Sequence, residues 1–255
     1  MINSKTTHLR EIFKKLILSI PIFSDFLKKR SKHYKKFGRP RAFSNEELKR
    51  FSHLFTGDVV NISGWNDLDK QGMLYRDYFN NKKDYFISNY KEDQKGIQGF
   101  ENEFYLDLES DLDPNLKNSF EVVFCHTVLE HVFDFSKAFK NLSEISKDIL
   151  IIVVPFLQQM HGSGYKDYWR FTPEALKKLY LNNGFTPRYI SANNDDKASI
   201  YLFSIGYKNR KWDKEIPEKF IDRIDPNLEL GSTIIIFITI NYSCLKGFYC
   251  CCCLF

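Results

Sequence analysis

At 255 residues, 43% of them hydrophobic and 16% aromatic, the chain is long enough for one domain with a real core, and its composition excludes a disordered or low-complexity protein. The net charge of +5 is unevenly placed: residues 1–50 carry 14 Lys/Arg against 4 Asp/Glu, while residues 51–255 carry 23 against 28. Six cysteines, with one in the body of the chain at Cys125 and the rest at Cys244 and Cys250–Cys253, argue against a disulfide framework and for a reducing compartment.

Residues 8–37 set Leu9, Ile12, Phe13, Leu16, Ile17, Phe23, Phe26 and Leu27 at helical spacing, with Lys14, Lys15, Lys28, Lys29 and Arg30 between them. Pro21 breaks this stretch into two short helices. A basic amphipathic segment of this kind either rests on an anionic membrane or packs on the domain that follows it. It is not read as a nucleic-acid binder, because it interleaves few aromatics and carries no known motif. LILSIPIF, Leu16–Phe23, is too short for a signal peptide and lacks a small-residue cleavage site. GRPR, Gly38–Arg41, reads as a linker, and Ser44 with Glu47 reads as a capping box opening a helix that runs to about Leu54. The expected organisation is a basic arm at 1–43, a domain at 44–243 and a Cys-rich tail at 244–255.

Strands and helices then alternate. DVVNIS (Asp58–Ser63), DYFIS (Asp84–Ser88), EFYLDL (Glu103–Leu108), Glu121–His126 and Ile149–Pro155 read as the first five strands, with a helix over Ser136–Ser146. Thr172, Pro173 and Glu174 open a further helix, with a Thr cap and Pro at its first position, and Asn183–Gly184 stops it. Phe185–Ser191 and Thr233–Tyr242 read as later strands, and Ser199–Tyr207 is ambiguous between strand and helix. The uncharged run from Leu230 to Leu245 is short of the ~20 residues a spanning helix needs and is β-branched, so a buried strand is preferred over a membrane anchor. The expected fold is α/β and Rossmann-like: a mostly parallel, seven-stranded sheet flanked by helices, with the basic helical arm in front.

Two phrases carry a family likeness. FEVVFCHTVLEHV, from Phe120, is an apolar strand ending in a polar tip with a Leu-Glu-His-Val helix start, and HGSGYKDYWRFTPEALKKLYLNNGF spans His161–Phe185. Together they resemble the class I S-adenosylmethionine-dependent methyltransferases, in the type 11-like branch found among bacterial surface-glycan biosynthesis proteins. The likeness runs from about Asp58 to Gly184, half the chain. It implies S-adenosylmethionine as cofactor, a saccharide or lipid-linked glycan as acceptor, and a cytoplasmic protein; together with the basic arm at residues 8–37 it leaves open a peripheral place at the inner membrane face.

The cofactor motifs depart from the family's pattern. Where the family reads acidic-x-Gly-x-Gly-x-Gly, this chain reads NISGWND, with Asn61 at the acidic position, Ser63 at the first glycine and Gly64 as the one glycine kept. Asn89 stands where an acid usually takes the ribose hydroxyls, and as a neutral partner it bonds more weakly. Asp107 resembles the acid that meets the adenine amino group. The resemblance thus implies a cofactor site of Asn61, Gly64, Trp65, Asn89, Asp107, Leu108, His126 and Glu130. Trp65 either covers the adenine or fills the space.

A hydroxyl acceptor needs a general base near neutral pKa, which suits His. His161, in a loop beyond the fifth strand, is the candidate base. His131, Tyr168, Trp169 and Arg170 are acceptor-binding candidates, with a structural reading open for three of them: His131 anchoring the helix start, Trp169 as loop core, and Arg170 pairing Asp167. No metal is expected. The alternative to an enzyme is an inactive methyltransferase-like binding module.

Overall fold

The computed structural model describes residues 34–90, 96–162, 165–193, 195 and 198–221. The basic helical stretch expected over residues 8–37 lies outside the described residues up to residue 33, and its last residues fall in a π-helical turn at Tyr34–Gly38; the strand expected at Thr233–Tyr242 and the Cys tail lie outside the described residues. Eight strands form one sheet: β1 (Val59–Ile62), β2 (Tyr85–Asn89), β3 (Glu103–Tyr105), β4 (Phe120–His126), β5 (Ser146–Leu157), β6 (Thr186–Ala192), β7 (Ile200–Tyr207) and β8 (Lys219–Phe220). Their order is β3-β2-β1-β4-β5-β7-β6-β8. β7 runs antiparallel to both of its neighbours, β5 and β6, and every other pairing is parallel.

The sheet is therefore mostly parallel and Rossmann-like as expected, with eight strands rather than seven. Ser199–Tyr207 resolves as strand, because Ile200–Tyr207 is buried on both faces between β5 and β6. β4 and β5 have the continuous apolar runs that a doubly covered sheet requires. The chain passes from β3 across to β4 on the far side of β1, so β1 and β4 flank the switch point where such sheets bind ligands, at their carboxyl ends.

Three α-helices are described: α1 (Arg39–Ser52), α2 (Phe135–Ile145) and α3 (Pro173–Asn182). Leu142 and Ile145 of α2 and Leu176 and Tyr180 of α3 bury against one face of the sheet. α1, with Leu48 and Phe51, covers the other face together with Tyr75, Tyr78, Phe79 and Trp212. The local signals for α3 hold. Thr172 Oγ1 accepts from Ala175 N at 3.2 Å, and Gly184 ends the helix at φ +78°.

Two expectations are corrected. α1 begins at Arg39 with Pro40 in its first turn, so GRPR is a helix start and not a linker, and the boundary placed at residue 43 falls inside the helix. Ser44 is not a cap. It sits one turn in, its Oγ donating to Arg41 O at 3.0 Å. The strand–helix alternation is also incomplete. No α-helix links β1 to β2 or β3 to β4, and the first link is a turn of 3₁₀ helix at Tyr75–Asp77 within a loop.

Two fully buried aspartates hold that β1–β2 loop in place of a helix. Asp67 accepts from Asn61 Nδ2 (3.0 Å), Tyr85 OH (2.7 Å), Arg76 N (3.1 Å) and Arg76 Nε (3.0 Å). Asp69 Oδ1 accepts from the backbone N–H groups of Gln71, Gly72 and Met73, and its Oδ2 accepts from Tyr78 OH at 2.6 Å. Each buried carboxylate is satisfied several times over, which offsets the cost of withdrawing it from water. No helix among the described residues is long and apolar enough to cross a membrane.

Candidate functional site at the carboxyl ends of β1 and β4

The loop leaving β1 is unusual in its backbone. Ser63, Trp65 and Asp67 all adopt left-handed conformations, at φ +51°, +50° and +62°. Counted from Asn61, these are the three glycine positions of the acidic-x-Gly-x-Gly-x-Gly pattern, and Gly64 falls between them. Gly64 is thus not a retained motif glycine. It is required for a different reason, since a Cβ there would lie 2.6 Å from Asn61 Nδ2 and 3.1 Å from Ile87 Cγ2. Left-handed backbone costs a residue with a side chain roughly 1–2 kcal/mol, and bulky side chains rarely adopt it.

Neighbouring groups hold this shape. Trp65 N donates to Asn89 Oδ1 at 2.8 Å, and Asn89 Nδ2 donates to Trp65 O at 3.3 Å. The same Asn89 amide donates to Glu103 Oε1. Asn89 therefore uses both ends of its side chain inside the protein, and does not present a free group to a ribose as the family likeness implied. Trp65 is half-buried, with Lys70 Nζ 5.1 Å from its ring.

Asp107 lies just past β3, where its carboxylate accepts from Glu109 N (2.9 Å) and Ser110 Oγ (2.8 Å), pinning a turn with acceptor capacity to spare. Leu108 is core, and its carbonyl accepts from Asn141 of α2.

At the end of β4, the first turns of α1 reach over His126. Arg41 Nη1 donates to His126 Nδ1 at 3.2 Å, Arg41 Nη2 donates to Thr127 Oγ1 at 2.9 Å, and His126 Nε2 lies 2.8 Å from Ser44 Oγ. Burial, and then the Arg41 charge, push the His126 pKa well below the usual value, so its ring is neutral at physiological pH. A neutral ring that accepts from Arg41 at Nδ1 carries its proton on Nε2, facing Ser44. Thr127 follows in left-handed backbone at φ +54°. Arg41 and Ser44 were missed in the sequence because their seat lies 85 and 82 positions away.

The third part of the site is a titratable cluster between the β4 end and the loop after β5. Glu130 is 1% exposed, and neither of its carboxylate oxygens has a hydrogen-bond partner among the described residues. Burial raises its pKa to about 8. His131 Nε2 lies 3.6 Å from Glu130 Oε1, while its Nδ1 is 2.6 Å from Lys166 O. Burial lowers His131 to about 4. The His161 ring stands 5.2 Å from that of His131, and its Nδ1 is 3.2 Å from Asp167 Oδ2. Burial also lowers His161, against the pull of Asp167. Burial alone would raise Asp167, but the Arg170 fork at 2.6 and 2.7 Å holds it down at about 2.

Of the acceptor-binding candidates, the structure gives two a structural place. Arg170 is engaged by Asp167 and also donates to the carbonyls of Gln158 and Gln159. Trp169 packs on Phe135 at 4.9 Å and donates from Nε1 to Phe133 O. Exposed rings near the cluster include Tyr165, 41% exposed and 4.5 Å from the His131 ring, and Tyr168 and Phe133, 44% and 63% exposed and in edge contact with each other at 5.3 Å. Phe133 was not singled out in the sequence. Two surface depressions open at the opposite, amino-terminal edge of the sheet, around Lys147, Asp148 and Lys208 and around Lys117, Lys140 and Glu144, far from this chemistry.

No family model and no curated protein sequence matches the chain. Solved structures do. The magnesium protoporphyrin IX methyltransferase of Synechocystis PCC 6803, solved with S-adenosylhomocysteine, is similar at 11% identity and TM-score 0.48, over 78% of this chain and 100% of that one. The 1,6-didemethyltoxoflavin-N1-methyltransferase of Burkholderia thailandensis, also with S-adenosylhomocysteine, is similar at 15% identity and TM-score 0.43, over 82% and 91%. An S-adenosylmethionine-dependent methyltransferase of Clostridium acetobutylicum is similar at 12% identity and TM-score 0.46, over 72% and 97%.

Proposed function

We propose that this protein is an S-adenosylmethionine-dependent methyltransferase that acts on a saccharide or lipid-linked glycan at the cytoplasmic face of the membrane. The observation that carries the reading is the left-handed backbone at Ser63, Trp65 and Asp67. A loop whose motif glycines are gone keeps the glycine conformation at all three positions, against a local energetic cost, at the switch point of the sheet. Strain retained at a ligand-binding position is a pointer to function.

The residues fit the cofactor in part. The Ser63–Asp67 backbone would cradle it, and Asp107 has acceptor capacity left for an adenine amino group. Arg41 would take its carboxylate, since the hydrogen-bond partners of the guanidinium among the described residues are neutral. Asn89 does not fit, because it is spent on Trp65 and Glu103. When bound, the cofactor supplies an activated methyl group. The chain's own share is alignment, which can be worth ~7–11 kcal/mol. Its remaining tasks are a proton acceptor in His161, whose pKa burial lowers and whose backbone N–H is held by Asp167, and a ring platform for a sugar in Tyr168 and Phe133. The basic arm would supply the membrane contact.

A second reading, an inactive methyltransferase-like binding module, is favoured by Asn89 alone. Calorimetric titration with S-adenosylmethionine and S-adenosylhomocysteine separates the two. The methyltransferase reading expects binding, and expects Arg41→Ala to weaken it by about 10–100-fold, the effect of one charge-assisted contact of ~1.5–3 kcal/mol. No heat and no thermal shift at millimolar cofactor would refute it in favour of the module.

A further inference from the structure

Glu130, His131 and His161 come from two separate stretches of chain, and each offers a ligand atom within 4.8 Å of the others. We propose that these three side chains form a binding site for one divalent transition-metal ion, of the Zn²⁺ type. The first support is the orphaned carboxylate. Glu130 is withdrawn from solvent, and neither of its oxygens is met by a hydrogen-bond donor among the described residues. A buried acid is ordinarily satisfied, and an unsatisfied one calls for an explanation such as an ion.

The second support is the state of the two rings. His131 Nδ1 donates to Lys166 O at 2.6 Å, which fixes the tautomer and leaves the Nε2 lone pair on the side of Glu130, 3.6 Å from Oε1. His161 Nδ1 has no hydrogen-bond partner of good geometry but lies 3.2 Å from Asp167 Oδ2. A hydrogen bond donated by the second ring N–H to a backbone carbonyl or carboxylate, as His131 makes to Lys166 O, is the usual support of a metal-ligating histidine.

Donor type favours the same occupant. Two imidazoles and one carboxylate suit a borderline ion such as Zn²⁺ over Mg²⁺ or Ca²⁺, which prefer all-oxygen shells. Of the cations that act on the cluster, Arg170 is neutralised by its two-point contact with Asp167, while Arg41 near Glu130 and Lys36 near His161 set a charge that the ion has to overcome. Bonds of 2.0–2.2 Å require ligand atoms about 3.3 Å apart, a modest contraction by side-chain rotation. Three protein ligands leave at least one coordination position for water or a substrate oxygen. There the ion would lower the pKa of a bound acceptor hydroxyl, whose proton would pass to solvent water, and His161 would serve as a ligand in place of acting as the base. That consequence rests on the methyltransferase reading; the binding does not.

The test uses the full chain, stripped with chelator and titrated with Co²⁺ and then Zn²⁺ in the absence of any cofactor. The expected result is one Co²⁺ per chain held by nitrogen and oxygen ligands, seen in the visible d–d bands and displaced by Zn²⁺. His161→Gln, and separately Glu130→Gln, should each weaken binding by roughly 100-fold with the circular dichroism unchanged. No bound ion in the unaltered chain would overturn the proposal. So would a signal that persists in the His131→Asn/His161→Gln double variant, or one carried by the sulfur-to-metal bands of the Cys250–Cys253 run.

Discussion

Asp67 and Glu130 are both carboxyl groups withdrawn from solvent, one in the loop after β1 and the other just past β4. Asp67 accepts four hydrogen bonds from Asn61, Tyr85 and Arg76, whereas the oxygens of Glu130 accept none from the described residues. The β1 side of the cleft is self-contained. Its polar groups face one another, and Asn89 and Glu103 extend the same closed network to β3. The β4–β5 side holds a carboxyl and two rings with unused capacity. A buried polar group that the chain satisfies serves the fold, and one that it leaves unsatisfied is available to a ligand.

The comparison breaks most visibly at Asp67. Asp67→Ala strands Tyr85 OH, Asn61 Nδ2 and Arg76 together, and should cost about 3 kcal/mol in urea denaturation. A loss below about 1 kcal/mol would mean that the loop is not organised by this residue. Glu130→Leu should do the opposite in metal-free protein. Replacing a buried acid that has no partner with an apolar side chain should stabilise by about 1–2 kcal/mol, read as a higher melting temperature. A destabilised variant would show that the carboxyl has a partner after all.

A smaller effect is expected in the pH dependence of Glu103. Burial alone would raise its pKa, but the N–H groups of Gln98, Phe100 and Gly99 and the Asn89 amide hold it below the ordinary 4.5. The unfolded state therefore takes up the proton first as pH falls. The contribution is complete above pH 4.5 and is lost as pH drops through the lower folded-state value. Unfolding midpoints at about pH 6 and about pH 3.5 should differ less in Glu103→Gln than in the unaltered protein; equal differences would detach Glu103 from the loop network. The least change is expected from Ser63→Gly. It relieves one left-handed residue and frees the unfolded chain, for a net gain of about 0.5 kcal/mol. A loss of stability there would mean that the serine side chain anchors the loop.

What could be read in the sequence was local. β4, β5 and α3 announce themselves through contiguous apolar runs, a Thr-Pro cap and an Asn-Gly stop, and each forms within two residues or so of where those signals put it, apart from a longer β5. The eighth strand is two residues long and carries no periodicity to find. The helix expected from Ser44 begins five residues earlier, because Pro40 suits a first turn as well as it suits a linker. The candidate site was legible as a set of residue types at strand ends, but not as a set of contacts. Nothing near Asn89 in the chain says that it closes on Trp65, and nothing near Arg41 says that it meets His126. Glu130 and His131 are sequence neighbours, so a helical reading turns them apart, yet His131 Nε2 and Glu130 Oε1 lie 3.6 Å from each other.

The seat of α1 also sets an order of assembly. The helix belongs to the opening fifth of the domain, yet its Arg41 rests on His126, 85 positions later, and its Phe51 packs on Tyr189 and Phe203. At ~5–20 residues per second, a ribosome delivers Arg41 roughly 4–17 seconds before His126 exists, and the later partners follow after a further interval. During that time the apolar face of α1 has no sheet to cover. Its docking is a late event of biosynthesis, and it completes the carboxyl-end cleft only once the antiparallel strand β7 is in place.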